Sequence, residues 1–600
     1  MLRALLSITI AVALLLAIAA RSSASPASTT RVSVSSTGME ANDESRLAPA
    51  ISADGRFVAF SSHASNLVSG DTNTCVGSTT IPGSCEDVFV HDLATSTTTR
   101  VSVDSAGQQA DGFSESPSLS ANGRYVAFDS VATNLVPGDN NTCGGYSPSC
   151  RDVFVHDSVT GSTERVSVST NGGEANAESF SPVISGDGRF VAFVSRASNL
   201  VAGDTNNTYD IFVHDRESGI TERVSMDSAG NESNGSSTDE PAISADGRYV
   251  VFESYASNLV LGDTNVCYSI PSCSDVFIHD RVTGATARLS VDSAGVQADN
   301  ASGEPAISPD GRFVGFSSSA TNLVSGDFNG TEDVFIHDRI TSATERVSVD
   351  SAGHQGDGDS FDPALSANGR YVAFMSTASN LVPDDTPSCA PFVSCSDIFV
   401  RDRLTATTVR VSIDSAGNQA NCGTPNPPLC AFGAAISATG GEVAFNSLAD
   451  NLVQGDTNNY CDTDADGIYD DNCRDIFVHA LSDTDGDGEW DVFDPCPLVA
   501  DCDADGWSDG SEITIGTDPL DACADTATAN DEAIDKMPAD LNDDRRVNTT
   551  DRVLVMRAMS AYKRGLYDRR FDLNTDGRID RIDRDIVDLY ITATGGLPCA

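Results

Sequence analysis

The stretch Ile-Ser-Ala-Asp-Gly-Arg-Phe-Val-Ala-Phe, residues 51–60, decides the fold because it is repeated. It returns as LSANGRYVAF at Leu119, ISGDGRFVAF at Ile184, ISADGRYVVF at Ile243, ISPDGRFVGF at Ile307 and LSANGRYVAF at Leu365. An altered copy, ISATGGEVAF, begins at Ile436. An Arg-Val-Ser-Val element trails the unit and is also present seven times, at Arg31, Arg100, Arg165, Arg223, Arg288 (with Leu289), Arg346 and Arg410. Repetition at this period marks supersecondary modules that bury their apolar faces on one another.

Each unit encodes four short strands. The Pro-Ala-Ile-Ser piece is the first, and the Asp-Gly or Asn-Gly pair turns the chain tightly into the second, Arg-Phe-Val-Ala-Phe. The third is Asp-Val-Phe-Val-His-Asp at residues 87–92, with Val88 and Val90 on one face and Phe89 and His91 on the other. A short Thr/Gly/Ser turn leads to the Arg-Val-Ser-Val strand. Seven units of four strands predict a mainly β protein, a seven-bladed β-propeller. The first Arg-Val-Ser-Val, residues 31–34, precedes any complete unit, and the last unit stops after its third strand. The N-terminal strand is therefore expected to complete the seventh blade and close the ring, a split that a β-solenoid would not need.

The formal charge of −52 is spread through repeats and turns. Such a field disfavours nucleic acid and anionic membranes and favours cations or basic partners. Residues 1–24 have a basic start at Arg3, an apolar core and a small-residue end, the pattern of a secretory signal peptide. No later stretch is long and apolar enough to span a bilayer, so the expected location is extracellular or attached to a bacterial cell surface. Most of the sixteen cysteines fall in local pairs: Cys75/Cys85, Cys143/Cys150, Cys267/Cys273, Cys389/Cys395, Cys422/Cys430 and Cys461/Cys473. They occur where an inter-strand loop is long, as disulfides that pin loops do. Cys496, Cys502, Cys523 and Cys599 have no legible pairing.

The tight turns share one propeller face, and the long, Cys-bearing loops share the other, which makes the loop face the expected working face. The units resemble the TolB-type, WD40-like propeller repeats of exported bacterial proteins, whose Ser-Pro-Asp-Gly-Arg signature stands at residues 308–312. The resemblance covers about residues 30–480 and implies a binding platform. The His-Asp pairs, from His91/Asp92 to His337/Asp338, resemble catalytic dyads singly, but equivalent dyads on five blades cannot share one active site. They are expected to cap turns. The Gly-Asp-Thr-Asn segments (Asp71, Asp204, Asp263, Asp456) read as Asx-turns or, with the first Asp of the third strand, as cation ligands. No catalytic residue is identified. Glu240, Glu304 and Asp362 each precede the first-strand proline of consecutive blades, and are candidate ligand-binding residues at the channel mouth.

Beyond the propeller, residues 483–530 carry alternating carboxylates with Gly at the bends, a pattern that wraps oxygens around a hard cation. They resemble bacterial thrombospondin type 3 repeats. That resemblance implies calcium ligands at Asp483, Asp485, Asp487 and Asp491 and again at Asp501, Asp503, Asp505 and Asp509.

Two twelve-residue loops follow. Asp540, Asn542, Asp544, Asn548 and Asp551 occupy positions 1, 3, 5, 9 and 12 of the first, and Asp572, Asn574, Asp576, Asp580 and Asp583 those of the second. Arg546 and Arg578, at position 7, would supply backbone carbonyls. Each loop runs into a helical stretch. Asp at position 12 and the lack of a helix before the first loop resemble a type I dockerin, so residues 538–600 are expected to form a small α-helical domain of paired EF-hand-like loops. Arg545 departs from the usual position-6 glycine, which Gly577 keeps. The resemblance implies a cohesin partner on a scaffold or cell-surface protein, recognised through Thr549, Thr550, Arg581 and Ile582.

The sequence thus describes an exported, calcium-binding docking protein whose propeller offers a platform to a glycan or protein. The alternative is a polysaccharide-degrading enzyme, a glycoside hydrolase or lyase, with its active site on the loop face. Calcium should order the C-terminal loops, because a cation at a thousand times its dissociation constant adds about 4 kcal/mol per site. The helical circular dichroism of residues 483–600 is expected to collapse on adding EDTA and return with calcium.

Overall fold

The repeated decapeptide forms a hairpin in which most positions have a partner. Ser52 Oγ donates to Asp54 Oδ1 (2.6 Å) and accepts from Phe57 N (2.9 Å), while Asp54 Oδ1 also takes Arg56 N (3.1 Å). These bonds lock the turn with its own side chains. Gly55 has φ 71°, a left-handed conformation that glycine adopts without penalty. The next copy supplies a second reason for glycine: a Cβ on Gly123 would collide with the ring of Phe57. The same fit joins Gly188 to Tyr125, Gly247 to Phe190 and Gly311 to Tyr249, so each aromatic sits in a notch of the following blade. Arg56 forks onto Asp92 at 2.8 and 2.7 Å and stacks on Phe57, tying the turn to the end of the third strand.

The computed structural model describes residues 27–73, 85–141, 150–238, 240–265, 267, 273–383, 385, 396–421, 430–457, 473–485, 489–494 and 497. Thr29–Ala480 forms one compact unit of seven four-stranded antiparallel sheets, the seven-bladed propeller. Blade 1 consists of Ser45–Ile51, Phe57–Ser62, Asp87–Asp92 and Thr97–Arg100, from the axis outward. Register places Phe60 opposite Phe89, with the rings stacked 5.8 Å apart. The same pair recurs in every blade, as in Phe193/Phe212 and Phe445/Phe477. The apolar cores lie between blades. Val58, Phe60 and Phe89 pack with Ala444, Ile476 and Val478 of blade 7, while Ala59, Val88 and Val90 face Val126, Phe128 and Phe154 of blade 2. Both faces of a sheet are therefore buried, as its near-continuous apolar central strands require.

Blade 7 is closed by the N-terminus. Its order is Ser28–Arg31, Asp475–Ala480, Glu442–Ser447, Ala431–Ile436. The outer strand ends at Arg31 rather than running through residues 31–34. Ser33 turns its Oγ to Asp475 Oδ1 (2.5 Å), and Val34 leaves the sheet to bridge Glu40. Every later Arg-Val-Ser-Val behaves alike, with Ser102 on Asp87 and Val103 bridging Gln109. Among the described residues no helix is long and apolar enough to cross a membrane.

Thr29 shows how tightly the closing strand is held. Its hydroxyl donates to Ile413 O of the preceding blade and is left to accept from His479 Nδ1 (2.8 Å). Thr29→Val keeps the shape and strands both buried partners, so it should cost about 2 kcal/mol or more in urea denaturation. A change smaller than a few tenths would show that the N-terminal strand does not carry the closure.

Candidate binding face

Two sets of sequence candidates belong to the scaffold. Asp71 of the loop and Asp87 of the third strand both pair with Arg100 Nη1, at 2.9 and 3.3 Å, and Asn73 Nδ2 donates to Asp87 Oδ2 (3.1 Å). Arg223 holds Asp204 and Asp210, Arg288 holds Asp263 and Asp275, and Arg31 holds Asp456 and Asp475 in the same way. A guanidinium occupies the place in which the sequence suggested a cation. In blades 7, 2 and 3 the cluster gains a further carboxylate, Glu40, Glu174 or Glu232. Burial then pushes Asp139 up to about 7 and Asp456 up to about 8, with the neighbouring carboxylates adding to the effect and the arginines opposing it.

The His-Asp pairs divide their labour. Asp92 caps the turn through Ala94 N (3.0 Å) and Thr95 Oγ1 (2.8 Å), as expected. His91 does not. Its Nδ1 meets Thr98 Oγ1 (2.9 Å), whose hydroxyl donates to Val34 O across the blade boundary. Burial lowers the pKa of His91, His156, His214, His279 and His337, and that of the equivalent His479, which precedes Ala480, to about 4, so they are neutral inter-blade links.

The channel is lined by the first strands and encloses a cavity of about 520 Å³. At its tight-turn end, main-chain bonds pass from turn to turn: Ala53 N to Ala121 O, Ala121 N to Gly186 O, Ala245 N to Pro309 O, Ala367 N to Ala438 O and Ala438 N to Ala53 O, each 2.9 Å. Pro309 has no N–H to pass on. The turns are thus drawn together at that end. Towards the loop face every first strand longer than two residues bulges, for example between Glu115 and Ser118 or Gly303 and Ala306. Each bulge holds a left-handed residue, among them Ser116 (φ 54°), Glu304 (φ 51°) and Asp362 (φ 52°). Glu240, Glu304 and Asp362 all reach the cavity wall. Glu304 Oε2 accepts from Ser317 Oγ (2.5 Å) and from Asp362 N (3.0 Å), coupling blade 5 to blade 6.

The repeat gives no hint that this face is electrically uneven. On blades 7, 1 and 2 it carries arginines set on carboxylates: Arg474 on Glu44, Arg46 on Glu86 (2.8 Å) and Arg151 on Glu115 (2.5 Å), with the buried Asp129 carboxyl 3.4 Å from Arg151. His63 Nε2 lies 3.6 Å from Glu86. On blades 4–6 the face is acidic. Burial, with Glu304 and Asp359 nearby, raises Glu332 to about 7. These residues sit at ordinary repeat positions, so only comparison of the copies with each other could have singled them out.

Of the spacer candidates, Asp483, Asp485 and Asp491 are described. Asp491 accepts from Thr484 N (2.7 Å), Thr484 Oγ1 (2.7 Å) and Ser482 Oγ, closing a small turn. Asp487, Asp501, Asp503, Asp505, Asp509 and all the loop residues from Asp540 to Asp583 lie outside the described residues. Cys267 and Cys273 are joined by a disulfide in the blade 4 loop. Cys85, Cys150, Cys430 and Cys473 are also disulfide-bonded.

Residues 538–592 match the model of the dockerin type I domain, and the C-terminal segment is such a domain. No curated protein matches the chain. Among solved structures, the chain is similar to TolB of Agrobacterium tumefaciens, at 17% identity over 53% of this chain and 86% of that one, TM-score 0.31. TolB of Acinetobacter baumannii is similar at 15% over 56% and 62%, TM-score 0.31. An oligogalacturonate lyase of Vibrio parahaemolyticus is similar at 10% over 76% and 93%, TM-score 0.41. Likenesses this distant define no ligand and no activity.

Asp129 gives this face a pH dependence. It is fully buried, Oδ2 accepts from Ser181 N (3.1 Å), and burial lifts its pKa from 3.8 to about 8 against the pull of Arg151. A carboxyl raised on folding contributes stability below its unfolded pKa and loses it as pH rises through the folded one. The wild type should therefore lose melting temperature relative to Asp129→Asn as pH rises from about 5 to about 8.5. A constant gap across that range would refute the assignment.

Proposed function

We propose that this protein is an exported, calcium-dependent docking module that carries a ligand-binding propeller. The match of residues 538–592 to the dockerin type I domain carries the reading. In it, calcium is held by Asp540, Asn542, Asp544, Asn548 and Asp551 in one loop and by Asp572, Asn574, Asp576, Asp580 and Asp583 in the other, with the Arg546 and Arg578 carbonyls completing each shell. The loaded pair presents Thr549, Thr550, Arg581 and Ile582 to a cohesin on a scaffold or cell-surface protein. Residues 1–24 direct export, and residues 483–530 act as a calcium-stiffened spacer, using the two aspartate ladders from Asp483 and Asp501. The propeller presents its loop face to a glycan or protein, with Glu240, Glu304 and Asp362 at the mouth of the channel.

Such docking depends on metal and not on the propeller. Asp540→Ala combined with Asp572→Ala removes position 1 from both loops. The double variant should lose cohesin binding in a pull-down, at least a hundredfold, while the propeller melts as before. Retained binding would place the docking surface elsewhere.

A further inference from the structure

The cluster at the foot of each variable loop differs between blades at one position, the residue bridged to the end of the Arg-Val-Ser-Val element. Blades 1, 4, 5 and 6 place glutamine there, Gln109, Gln297, Gln355 and Gln419, whereas blades 7, 2 and 3 place Glu40, Glu174 and Glu232. Two of the glutamines show what the position does. Gln297 Oε1 accepts from the loop amide of Thr264 (3.2 Å), while Nε2 donates to Asp263 Oδ1 (2.9 Å) and Asp275 Oδ2 (3.1 Å). Gln419 Nε2 donates in the same way to Asp385 (3.0 Å) and Asp397 (2.9 Å). One amide thus satisfies both aspartates of its cluster, and an amide does not titrate.

Glu40 keeps only the accepting half of this arrangement. Its Oε1 accepts from Thr457 N (2.8 Å) and its Oε2 from Thr457 Oγ1 (2.9 Å). An ionised carboxylate has nothing to donate to Asp456 and Asp475, whose oxygens lie with its own within 4.8 Å of one another. Arg31 Nη1 faces all three, at 2.8 Å from Glu40, 3.0 Å from Asp456 and 3.2 Å from Asp475, but one guanidinium does not neutralise three carboxylates. A single proton between Glu40 and Asp456 supplies the missing donor. Burial, with the Asp475 charge beside it, pushes Asp456 up to about 8 against the pull of Arg31, so the proton is in place at neutral pH.

Blade 7 differs from blade 2 in where these groups come from. In blade 2, Asp139, Asp152, Arg165 and Glu174 follow one another along one stretch of chain. In blade 7, Arg31 and Glu40 belong to the N-terminal segment, while Asp456, Thr457 and Asp475 belong to the loop and third strand of the last blade. Chemistry that is internal to blade 2 therefore spans the closure of the ring. We propose that the N-terminal segment is a proton-dependent clasp: it holds blade 7 firmly while Glu40 and Asp456 share a proton, and loosens when that proton is lost towards alkaline pH. Loss leaves three ionised carboxylates around one buried guanidinium, on opposite sides of the closure. The other charged or titratable groups that tie this segment to blade 7 are His479, bonded to Thr29 and lowered by burial to about 4, and the ion pair of Arg474 with Glu44.

The test is hydrogen exchange, read by mass spectrometry on the full calcium-loaded chain, of wild type, Glu40→Gln and Glu174→Gln. Each variant installs the residue that blades 1, 4, 5 and 6 already hold, so neither introduces a side chain foreign to the position. Comparison at one pH cancels the intrinsic exchange rate and the titration of Asp129 and His479. A carboxyl raised on folding loses its contribution as pH rises through the folded pKa. The protection of residues 27–44 in Glu40→Gln, divided by that in wild type, should therefore rise about tenfold or more between about pH 5.5 and about pH 8.5. Glu174→Gln should leave the same ratio flat over residues 27–44. A ratio for Glu40→Gln that does not change with pH would overturn the proposal. Protection gained evenly over all seven blades, or gained equally over residues 27–44 in Glu174→Gln, would overturn it too, because the proton would then support the whole fold rather than its closure.

Discussion

In each blade the last residue of the outer strand, Arg100 or its equivalent, places Nη1 between the aspartate that opens the variable loop and the aspartate that opens the third strand. The serine two residues later donates to the same third-strand carboxylate, at 2.6 Å for Ser102 and Asp87. Two strands, one loop and the connection to the next blade therefore meet at a single buried charge. Breaking such a cluster by removing one partner costs about 3–5 kcal/mol, because the remaining charge stays buried. The long loops that carry the blade-specific residues all start from this point, so they vary on a fixed base.

The same clusters draw part of the protein's acidity inside the scaffold. Each holds two or three carboxylates against one guanidinium, and the surplus is internal to the scaffold. Net charge is thus a poor guide to what the propeller recognises. The informative charges are those left over once the clusters and the Arg56–Asp92 type of fork are set aside. They separate by blade: Arg474, Arg46 and Arg151 hold carboxylates on the loop face of blades 7, 1 and 2, while Glu240, Glu304 and Asp362 line the channel on blades 4–6. A ring with seven similar modules acquires direction in this way, without altering its fold.

Much of the architecture was legible in the chain. The turn at Asp54-Gly55, the aromatic after Arg56 and the period-two third strand each follow from local chemistry, and repetition multiplies a weak local signal into a strong one. The split of the closing blade followed from counting elements. The functional reading of Asp71, Asp87 and His91 was not recoverable in the same manner. A loop aspartate close in sequence to a strand aspartate looks like a cation site until the outer strand brings Arg100 between them. His91 beside Asp92 looks like a dyad until the strand's alternation turns the two side chains to opposite faces.

By itself the sequence determined the four-strand module, the number of blades, the closure by the N-terminal strand and the dockerin at residues 538–592. The module and the dockerin depend on contacts within one repeat or one loop, where neighbours in sequence are neighbours in space, and the blade number and the closure follow from counting the repeated elements. Only the tertiary structure decided which carboxylates are spent on arginines and which remain at the channel mouth. Glu240, Glu304 and Asp362 stand about sixty residues apart along the chain and share one cavity wall because the ring closes. Glu304 and Asp362 sit in bulges that interrupt the pairing of the first strand with the second.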